Sequence, residues 1–232
     1  MKPGKITKDV YLIGGSEITD PKDCSIYLLN VGELVLIDTG AGPSYDDIVR
    51  NIEKLGLDPA KLKTVILTHC HIDHIGGASR FRDALESRLI MHELDARAVE
   101  QGDKRMTGAA WYGLPLTPVP VDVKLTKDEE RLYFGDQEVV CLHTPGHTPG
   151  SLSVYLDRGG KRILFGQDIH GPFLEEFGAD LAAWRRSMER LLSLEADILC
   201  EGHFGVFQPK GRVAAYIKHY LEQYGEETIP QP

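Results

Sequence analysis

Metal-competent side chains are concentrated in one short segment, residues 68–77, which reads THCHIDHIGG. Three imidazoles and one carboxylate fall within six residues there: His69, His71, Asp73 and His74. Imidazole nitrogen and carboxylate oxygen are ligands that zinc and similar divalent ions take in proteins, at about 2.0–2.2 Å. A single histidine after a strand usually has a structural role, but four such groups this close together indicate a metal site.

The local backbone conformation decides whether these four side chains bind one metal ion or two. In an extended chain, alternate side chains lie on one face, so His69, His71 and Asp73 are expected on the same side. His74 then points elsewhere unless the chain turns into a helix there. This spacing favours two adjacent metals over one. Cys70 is expected to point away from the ligands and to pack in the interior, and the Gly76–Gly77 pair allows a tight turn beside them.

Other chemically capable residues follow apolar, strand-like runs. Asp38 ends LVLID, Asp168 ends RILFGQD, His203 ends ILCEGH, and His147 lies in the loop HTPGHTPGS. Loops at the carboxyl ends of strands build the sites of α/β proteins, so these residues are predicted to converge on residues 69–74. The remaining histidines are assigned structural roles: His92, His143, His170 and His219. Of these, His143 and His170 lie near proposed ligands.

The elements that must position these residues can be read from the hydrophobic pattern. Nine apolar runs predict strands, and amphipathic periods predict three helices, after Ser44, near residues 181–192 and near residues 213–224. Ser44 and Asp47 resemble a capping box. Strands with covering helices indicate an α/β layered fold, and the absence of a low-complexity linker predicts a single domain over residues 1–232.

Residues 101–123 contain glycine and proline but little periodicity, which is typical of a binding loop. A surface excursion, or packing against a second subunit in a homodimer, is the alternative. The loop carries Trp111 and Tyr112, which offer aromatic surface to an acyl substrate.

Composition excludes several classes of partner. The formal net charge of -9 argues against nucleic acid, which requires a basic footprint. No run approaches the roughly 18 apolar residues of a membrane span, and the start of the chain lacks the pattern of a signal peptide. The cysteines form no Cys-x-x-Cys pair, so reduced thiols in a cytoplasmic protein are predicted for all four: Cys24, Cys70, Cys141 and Cys200.

Five segments together resemble the motifs of the metallo-β-lactamase superfamily: LIDTG, THCHIDHIGG, TPGHTPGS, FGQD and EGH. They span roughly residues 10 to 205. Within the superfamily, THxHxDHxGG with TPGHTPGS is most similar to the glyoxalase II-like thioester hydrolases and related lactonases. The resemblance implies an α/β fold of four layers, an αββα sandwich, with the site along one edge of two packed sheets.

The resemblance also implies a ligand set and two divalent metal ions, with zinc preferred and iron or manganese as alternatives. Asp73 is assigned to catalysis as well as to metal binding, and Asp38 supports a ligand from behind. The implied ligands are His69, His71 and His147 for the first metal, Asp73, His74 and His203 for the second, and Asp168 as the bridge between them.

The expected reaction is hydrolysis of a small-molecule acyl substrate, in which a hydroxide bridging two metals attacks the acyl carbonyl. A thioester is preferred because its leaving thiol has a pKa of about 8.5 and departs readily. A lactonase is the first alternative, and its alkoxide needs a proton donor such as Tyr112 or Tyr155. The second is a persulfide dioxygenase with one iron held by His69, His147 and Asp168.

Two departures from the family pattern bear on the substrate. Gln167 stands where glycine usually precedes the bridging aspartate, and it either narrows the pocket or points into the core. Only one helix is predicted after Arg212, whereas glyoxalase II enzymes carry a longer helical segment that binds glutathione. A glutathione thioester is therefore disfavoured as the substrate.

Overall fold

Two β-sheets form the centre of the molecule in a computed structural model that describes residues 2–224. The first sheet has seven strands in sequential order, and its last four strands run parallel. Its strands are β1 Gly4–Thr7, β2 Val10–Gly14, β3 Ile26–Asn30, β4 Leu34–Ile37, β5 Leu62–Ile66, β6 Arg88–His92 and β7 Val123–Leu125.

The second sheet has six strands in the order β13-β12-β11-β10-β9-β8, with only β11 and β12 parallel. Its strands are β8 Glu129–Phe134, β9 Gln137–His143, β10 Leu152–Arg158, β11 Lys161–Phe165, β12 Ile198–Cys200 and β13 Val206–Phe207. The nine strands predicted from apolar runs are all present. The sequence prediction missed β1, β7, β8 and β13, which are short or carry polar residues.

The five longer helices of the described residues cover the outer faces of the two sheets, and the two four-residue helices lie in loops. In chain order the helices are α1 Tyr45–Lys54, α2 Ile72–Ile75, α3 Ala78–Leu85, α4 Glu93–Gln101, α5 Ala109–Tyr112, α6 Leu181–Ser193 and α7 Lys210–Gln223, with 3₁₀ turns at Pro59–Lys61 and Glu175–Phe177. Within residues 2–224, no helix has the length and apolar character that crossing a bilayer requires.

Alternating side chains of the strands separate three apolar layers. On β4, Leu34 and Leu36 pack under α1, α3 and α4, while Val35 and Ile37 face the second sheet. On β9, Val140 lies in the opposite outer layer, against α6 and α7. Helix, sheet, sheet and helix therefore form the αββα sandwich that was predicted, because the central strands have apolar residues on both faces.

The predicted capping box at Ser44 is wrong. Ser44 does precede α1, but its side chain makes no bond to the helix. Its hydroxyl instead donates to the carboxylate of buried Asp23, at 2.5 Å. Asp23 also accepts a hydrogen bond from the backbone of Ala41, so the hydroxyl helps fix the loop after Asp38. All four cysteines are buried and unpaired, in agreement with the prediction of free thiols.

Candidate metal centre

The candidate site lies where strands of both sheets end at one edge of the sandwich. Asp38 follows β4 and His69 follows β5 in the first sheet. Asp168 follows β11 and His203 follows β12 in the second sheet, while His147 lies in the loop between β9 and β10. Parallel strands present their carboxyl ends at the same edge, so side chains distant in sequence meet there.

The segment 69–75 changes conformation at its centre. His71 is extended, with φ -69° and ψ 144°, and the helical turn α2 begins at the next residue. The expectation that Asp73 shares an extended face with His69 and His71 is therefore wrong. The turn sends His69 and His71 to one group of ligands, and Asp73 and His74 to another.

The first group consists of three imidazoles and one carboxylate. His71 Nδ1 lies 3.1 Å from His69 Nε2 and 2.9 Å from His147 Nε2. Asp168 Oδ2 lies 3.7 Å from His69 Nε2 and 3.4 Å from His147 Nε2. The four ligand atoms thus surround a single point, and the side chains that carry them are buried.

The second group shares Asp168 with the first. Asp168 Oδ1 lies 3.3 Å from His74 Nε2 and 3.4 Å from His203 Nε2. Asp73 Oδ2 lies 3.7 Å from His74 Nε2 and 3.4 Å from His203 Nε2. Because Asp168 turns one oxygen toward each group, it is placed as a bridge between two centres.

The donor set fits two small divalent cations. Ligand atoms at about 2.0–2.1 Å from a tetrahedral ion are about 3.3 Å apart, which matches the spacings within both groups. His74 Nε2 and Asp168 Oδ1 are also buried without a hydrogen-bond partner. Buried polar atoms are almost always satisfied, so these two atoms are arranged for an ion.

Hydrogen bonds behind the ligands fix their tautomers. His74 Nδ1 donates to Asp38 Oδ2 at 2.7 Å, and His147 Nδ1 donates to the Pro172 carbonyl oxygen at 2.9 Å. Each bond leaves Nε2 free to face the metal position, and such partners also raise the basicity of a ligand. Asp38 thus contacts His74 through the ring nitrogen that does not face the metal position, and its supporting role stays a prediction.

Gln167 supports the same network. Its side-chain amide donates to Asp38, and the side chain is almost fully buried. The alternative in which Gln167 points into the core is therefore the observed one. A backbone φ of 42° at Gln167 and of 61° at Asp38 shows that both turns hold non-glycine residues in the left-handed region.

The three imidazoles of the first group are kept neutral. Burial, with a contribution from His74, lowers the pKa of His69 well below its usual value, and burial also lowers the pKa of His71. Burial lowers the pKa of His147 to about 4. Neutral imidazole is the form that binds a metal, so this group is ready for an ion at neutral pH.

In the second group, the pKa values of the two imidazoles are shifted in the opposite direction. Burial lowers the pKa of His203, but the carboxylates of Asp168 and Asp73 outweigh it and raise the pKa to about 9. At His74, burial is likewise outweighed by the carboxylates of Asp168, Asp73 and Asp38, so its pKa rises well above the usual value. The surrounding carboxylates therefore favour the protonated form of both imidazoles.

We expect the two groups to differ in the pH dependence of metal affinity. Below a pH of about 9, a metal entering the second group must displace protons. Its affinity should therefore rise about tenfold per pH unit, for each proton displaced, between pH 6 and 8. The first group should change little over that range. Titration with zinc against a competing chelator measures both affinities, and equal slopes for the two would contradict the assignment.

Asp95, which no sequence pattern indicated, connects the two loops that carry the first group. This carboxylate is fully buried in α4. It accepts hydrogen bonds from the backbone N–H of Cys70 at 2.9 Å, from the Thr148 hydroxyl at 2.7 Å and from the Gly150 N–H at 2.7 Å. Cys70 lies between His69 and His71, and Thr148 follows His147, so Asp95 links the segments that carry these ligands.

The remaining histidines and tyrosines divide by position. His143 lies outside both groups and stacks on His92, with ring centroids 3.9 Å apart. His170 donates to buried Glu201 at 2.7 Å and lines the cavity in front of the ligands. Of the two proposed proton donors, Tyr112 lines the same cavity, whereas Tyr155 packs against Arg162 elsewhere.

The cavity has a volume of about 360 Å³ and gives access to both groups. Its floor is formed by ligands, and its walls come from residues 107–112, 170–177 and 203–204. The segment 101–123 therefore contributes to the site through α5, while its later residues Val119 and Val121 are buried against the first sheet. An open cavity ending at a cluster of buried metal-competent groups is the expected form of a metallo-hydrolase site.

The chain belongs to the metallo-β-lactamase superfamily. The model of the family described as Metallo-beta-lactamase superfamily matches residues 19–203, which include all seven proposed ligands. Membership and the buried His/Asp cluster together define a metallo-hydrolase.

Individual relatives are distant. The Beta-lactamase-like protein 2 homolog of Drosophila melanogaster is 29% identical over 83% of this chain, and the alignment spans 63% of that protein. The human Acyl-coenzyme A thioesterase MBLAC2 is 26% identical over 82% of this chain and 76% of its own length. The subclass B3 metallo-beta-lactamase BJP-1 of Bradyrhizobium japonicum is a structural neighbour at 23% identity. Its TM-score is 0.80, with 97% of this chain and 93% of that chain covered, which shows the shared fold.

Proposed function

We propose that the protein is a thioester hydrolase of the glyoxalase II-like branch that holds two divalent metal ions, with zinc preferred over iron and manganese. The observation that carries this proposal is the division of Asp168, whose two carboxylate oxygens face separate groups of ligands at 3.3–3.7 Å. A site for one iron would use His69, His147 and Asp168 and leave the second group without a role. The geometry therefore favours hydrolysis over persulfide oxidation.

Metal ions bound here would supply an activated water and polarise the substrate carbonyl. The protein contributes the positions of the ligands and a partly shielded cavity. Phe177 packs on the His71 ring, with centroids 4.4 Å apart, and so keeps water from one side of the first group. Separate segments of the chain hold four of the ligands, which are His71, His147, Asp168 and His203. Their fixed positions limit where the carbonyl of a substrate can approach.

Thioester hydrolysis is also supported by the similarity to the acyl-coenzyme A thioesterase MBLAC2. The cavity offers aromatic walls to an acyl group. A thiolate leaves without acid assistance because the pKa of a thiol is about 8.5. Neither His69 nor any other proposed ligand has to act as an acid in this reaction.

Lactone hydrolysis is the second candidate, and the position of Tyr112 favours it. The Tyr112 side chain lines the cavity, and burial together with the carboxylate of Asp73 raises the pKa of its hydroxyl. A tyrosine that keeps its proton can donate a hydrogen bond to an alkoxide as it leaves. Tyr112 lines the cavity whichever reaction takes place, but only lactone hydrolysis depends on a proton donor there.

Metal analysis followed by a matched pair of substrates tests the proposal. Protein purified without added metal or chelator should contain about two equivalents of metal, mostly zinc. It should hydrolyse a thioester with a higher kcat/KM than a lactone of the same acyl chain length. One equivalent of iron with persulfide-dependent oxygen uptake would contradict the hydrolase, and a higher kcat/KM for the lactone would move lactonase to first place. The cytoplasmic location and the homodimer stay predictions.

A further inference from the structure

The cavity in front of the metal groups has an aromatic wall. Trp111 and Phe177 pack together with ring centroids 5.3 Å apart, and Phe177 in turn packs on His71. Phe204 lines the cavity beside His203. Trp111 is 59% exposed and Phe204 is 57% exposed, so both present ring surface to a ligand that enters. Exposed aromatic surface around a catalytic cavity is suited to binding apolar groups.

The positive charge of the same cavity is confined to the metal groups at its floor. Among the described residues that line it, none is a lysine or an arginine. Its carboxylates, Asp73 and Asp168, are both proposed ligands. A carboxylate at the end of an acyl group that lies against Trp111 and Phe177 loses hydration there, and no lysine or arginine among the described lining residues compensates that loss. The walls therefore discriminate against an acyl group that carries a negative charge.

A second groove, which adjoins the cavity, can hold the leaving group of a substrate. This groove of about 170 Å³ shares His203 and Phe204 with the cavity and continues along the loop from Gly14 to Ile18. A substrate whose carbonyl lies at the metal groups can extend one part toward Trp111 and the other past Phe204. The larger and more aromatic space is the one beside Trp111.

We propose that the site is selective for uncharged, apolar acyl groups, which bind against the packed rings of Trp111 and Phe177 while the leaving group extends past Phe204. This inference rests on the proposed thioester hydrolysis. In that reaction the oxygen of water bonds to the acyl carbon and the carbon–sulfur bond breaks. The products are a carboxylate and a thiol, and no oxidant or reductant is consumed.

Two thioesters of N-acetylcysteamine test the inference, because their acyl groups have the same number of heavy atoms and the same branching. One carries the 5-methylhexanoyl group and the other carries glutaryl, in which a carboxylate replaces the terminal isopropyl group. We expect kcat/KM to be about 100-fold higher for 5-methylhexanoyl, since an unpaired carboxylate would be desolvated. Equal values, or a preference for glutaryl, would overturn the inference and leave the hydrolase intact.

Substitutions test whether Trp111 is the residue that distinguishes the two acyl groups. Trp111→Ala should lower kcat/KM for the 5-methylhexanoyl thioester about tenfold, mainly through KM, and should hardly change the value for glutaryl. Tyr133→Ala is the matched control, because Tyr133 is also an exposed aromatic residue but lies on β8 and does not line the cavity. An equal loss for both substrates in Trp111→Ala would show that Trp111 does not select the acyl group.

Binding can be measured without turnover. Trp111 and Trp184 are the two tryptophans of the chain, and Trp184 is buried. The thioether analogues of the two substrates, with a methylene in place of the carbonyl, should differ in Kd by at least tenfold when fluorescence is titrated. Trp111→Phe should abolish the fluorescence response. If neither thioester is hydrolysed but the analogues differ as expected, the proposed reaction fails and the preference for apolar ligands stands. If the analogues bind equally, the preference fails.

Discussion

Replacing Asp168 with alanine is expected to remove metal from both groups and to lower kcat/KM by at least about 10³-fold. The reason is that one carboxylate contributes an oxygen to each group, at 3.3–3.7 Å from the neighbouring imidazole nitrogens. A residue that served one group alone would strip one metal when removed. Metal content after dialysis, measured together with kcat/KM, distinguishes the two cases.

Asp157→Ala is a suitable control for Asp168→Ala. Asp157 is an aspartate of the same sheet, but its carboxylate forms an exposed ion pair with Arg162. Exposed ion pairs contribute about 1 kcal/mol or less, so this variant should keep both metals and its activity. Retention of one full equivalent of metal by Asp168→Ala would show that Asp168 does not bridge.

The sequence predicts the candidate ligands because their signal is local. His69, His71, Asp73 and His74 lie within six residues, and no common structural role requires that combination. The strands that end in Asp38 and Asp168 are also visible as apolar runs, since buried strands are apolar on both faces. The α/β class and the convergence of these residues at one edge follow from patterns of this kind, whereas the four-layer sandwich and the division of the ligands between two metals were implied by the family resemblance.

Other parts of the site could not be predicted, because they depend on contacts between distant segments. Asp95 is a lone aspartate near the start of a helix, where an acidic residue usually just favours the helix dipole. Its three hydrogen bonds reach residues 25 to 55 positions away. Ser44 misled the prediction for the same reason, because its local pattern suited a cap while buried Asp23 provided the stronger acceptor.

The place of Tyr112 in the cavity is a second feature that the sequence could not predict. Its segment has little periodicity, and of the nine tyrosines the sequence named Tyr112 and Tyr155 as possible donors without a basis for choosing between them. The short helix α5 places Tyr112 and Trp111 at the cavity because residues 103–108 form a series of turns closed by Asp103 and Thr107. That arrangement is a property of the packed loop and has no counterpart in a local motif.

The second large effect is expected for Asp95→Asn, which should weaken the first metal position without removing a ligand. An amide has one acceptor oxygen, whereas the Asp95 carboxylate accepts from Cys70 and Thr148 on one oxygen and from Gly150 on the other. The NH₂ group would face buried donors. Leaving buried donors unpaired costs about 1–3 kcal/mol each, so the free energy of unfolding should fall by about 2–5 kcal/mol.

The effect on metal binding separates a positioning role from general stability. Because Asp95 ties the loop of His69 and His71 to the loop of His147, the affinity of the first group should fall about 10–100-fold. The second group, which Asp95 does not contact, should lose less. Zinc titration of the two groups measures this difference. Gly150→Ala should have a similar effect, because an added Cβ would lie 2.6 Å from the backbone nitrogen and a carboxylate oxygen of Asp95.

Asp122→Asn provides the comparison for Asp95→Asn. The Asp122 carboxylate also accepts a backbone hydrogen bond, from Leu89 N–H at 2.8 Å, but it pairs with Arg82 and lies away from the metal groups. Its replacement should lower stability by about 1 kcal/mol and leave both metal affinities unchanged. If Asp95→Asn matched Asp122→Asn in metal affinity, Asp95 would stabilise the fold without positioning the ligands. A selective loss at the first group would instead show that a carboxylate that touches no ligand side chain determines how closely His69, His71 and His147 approach one another.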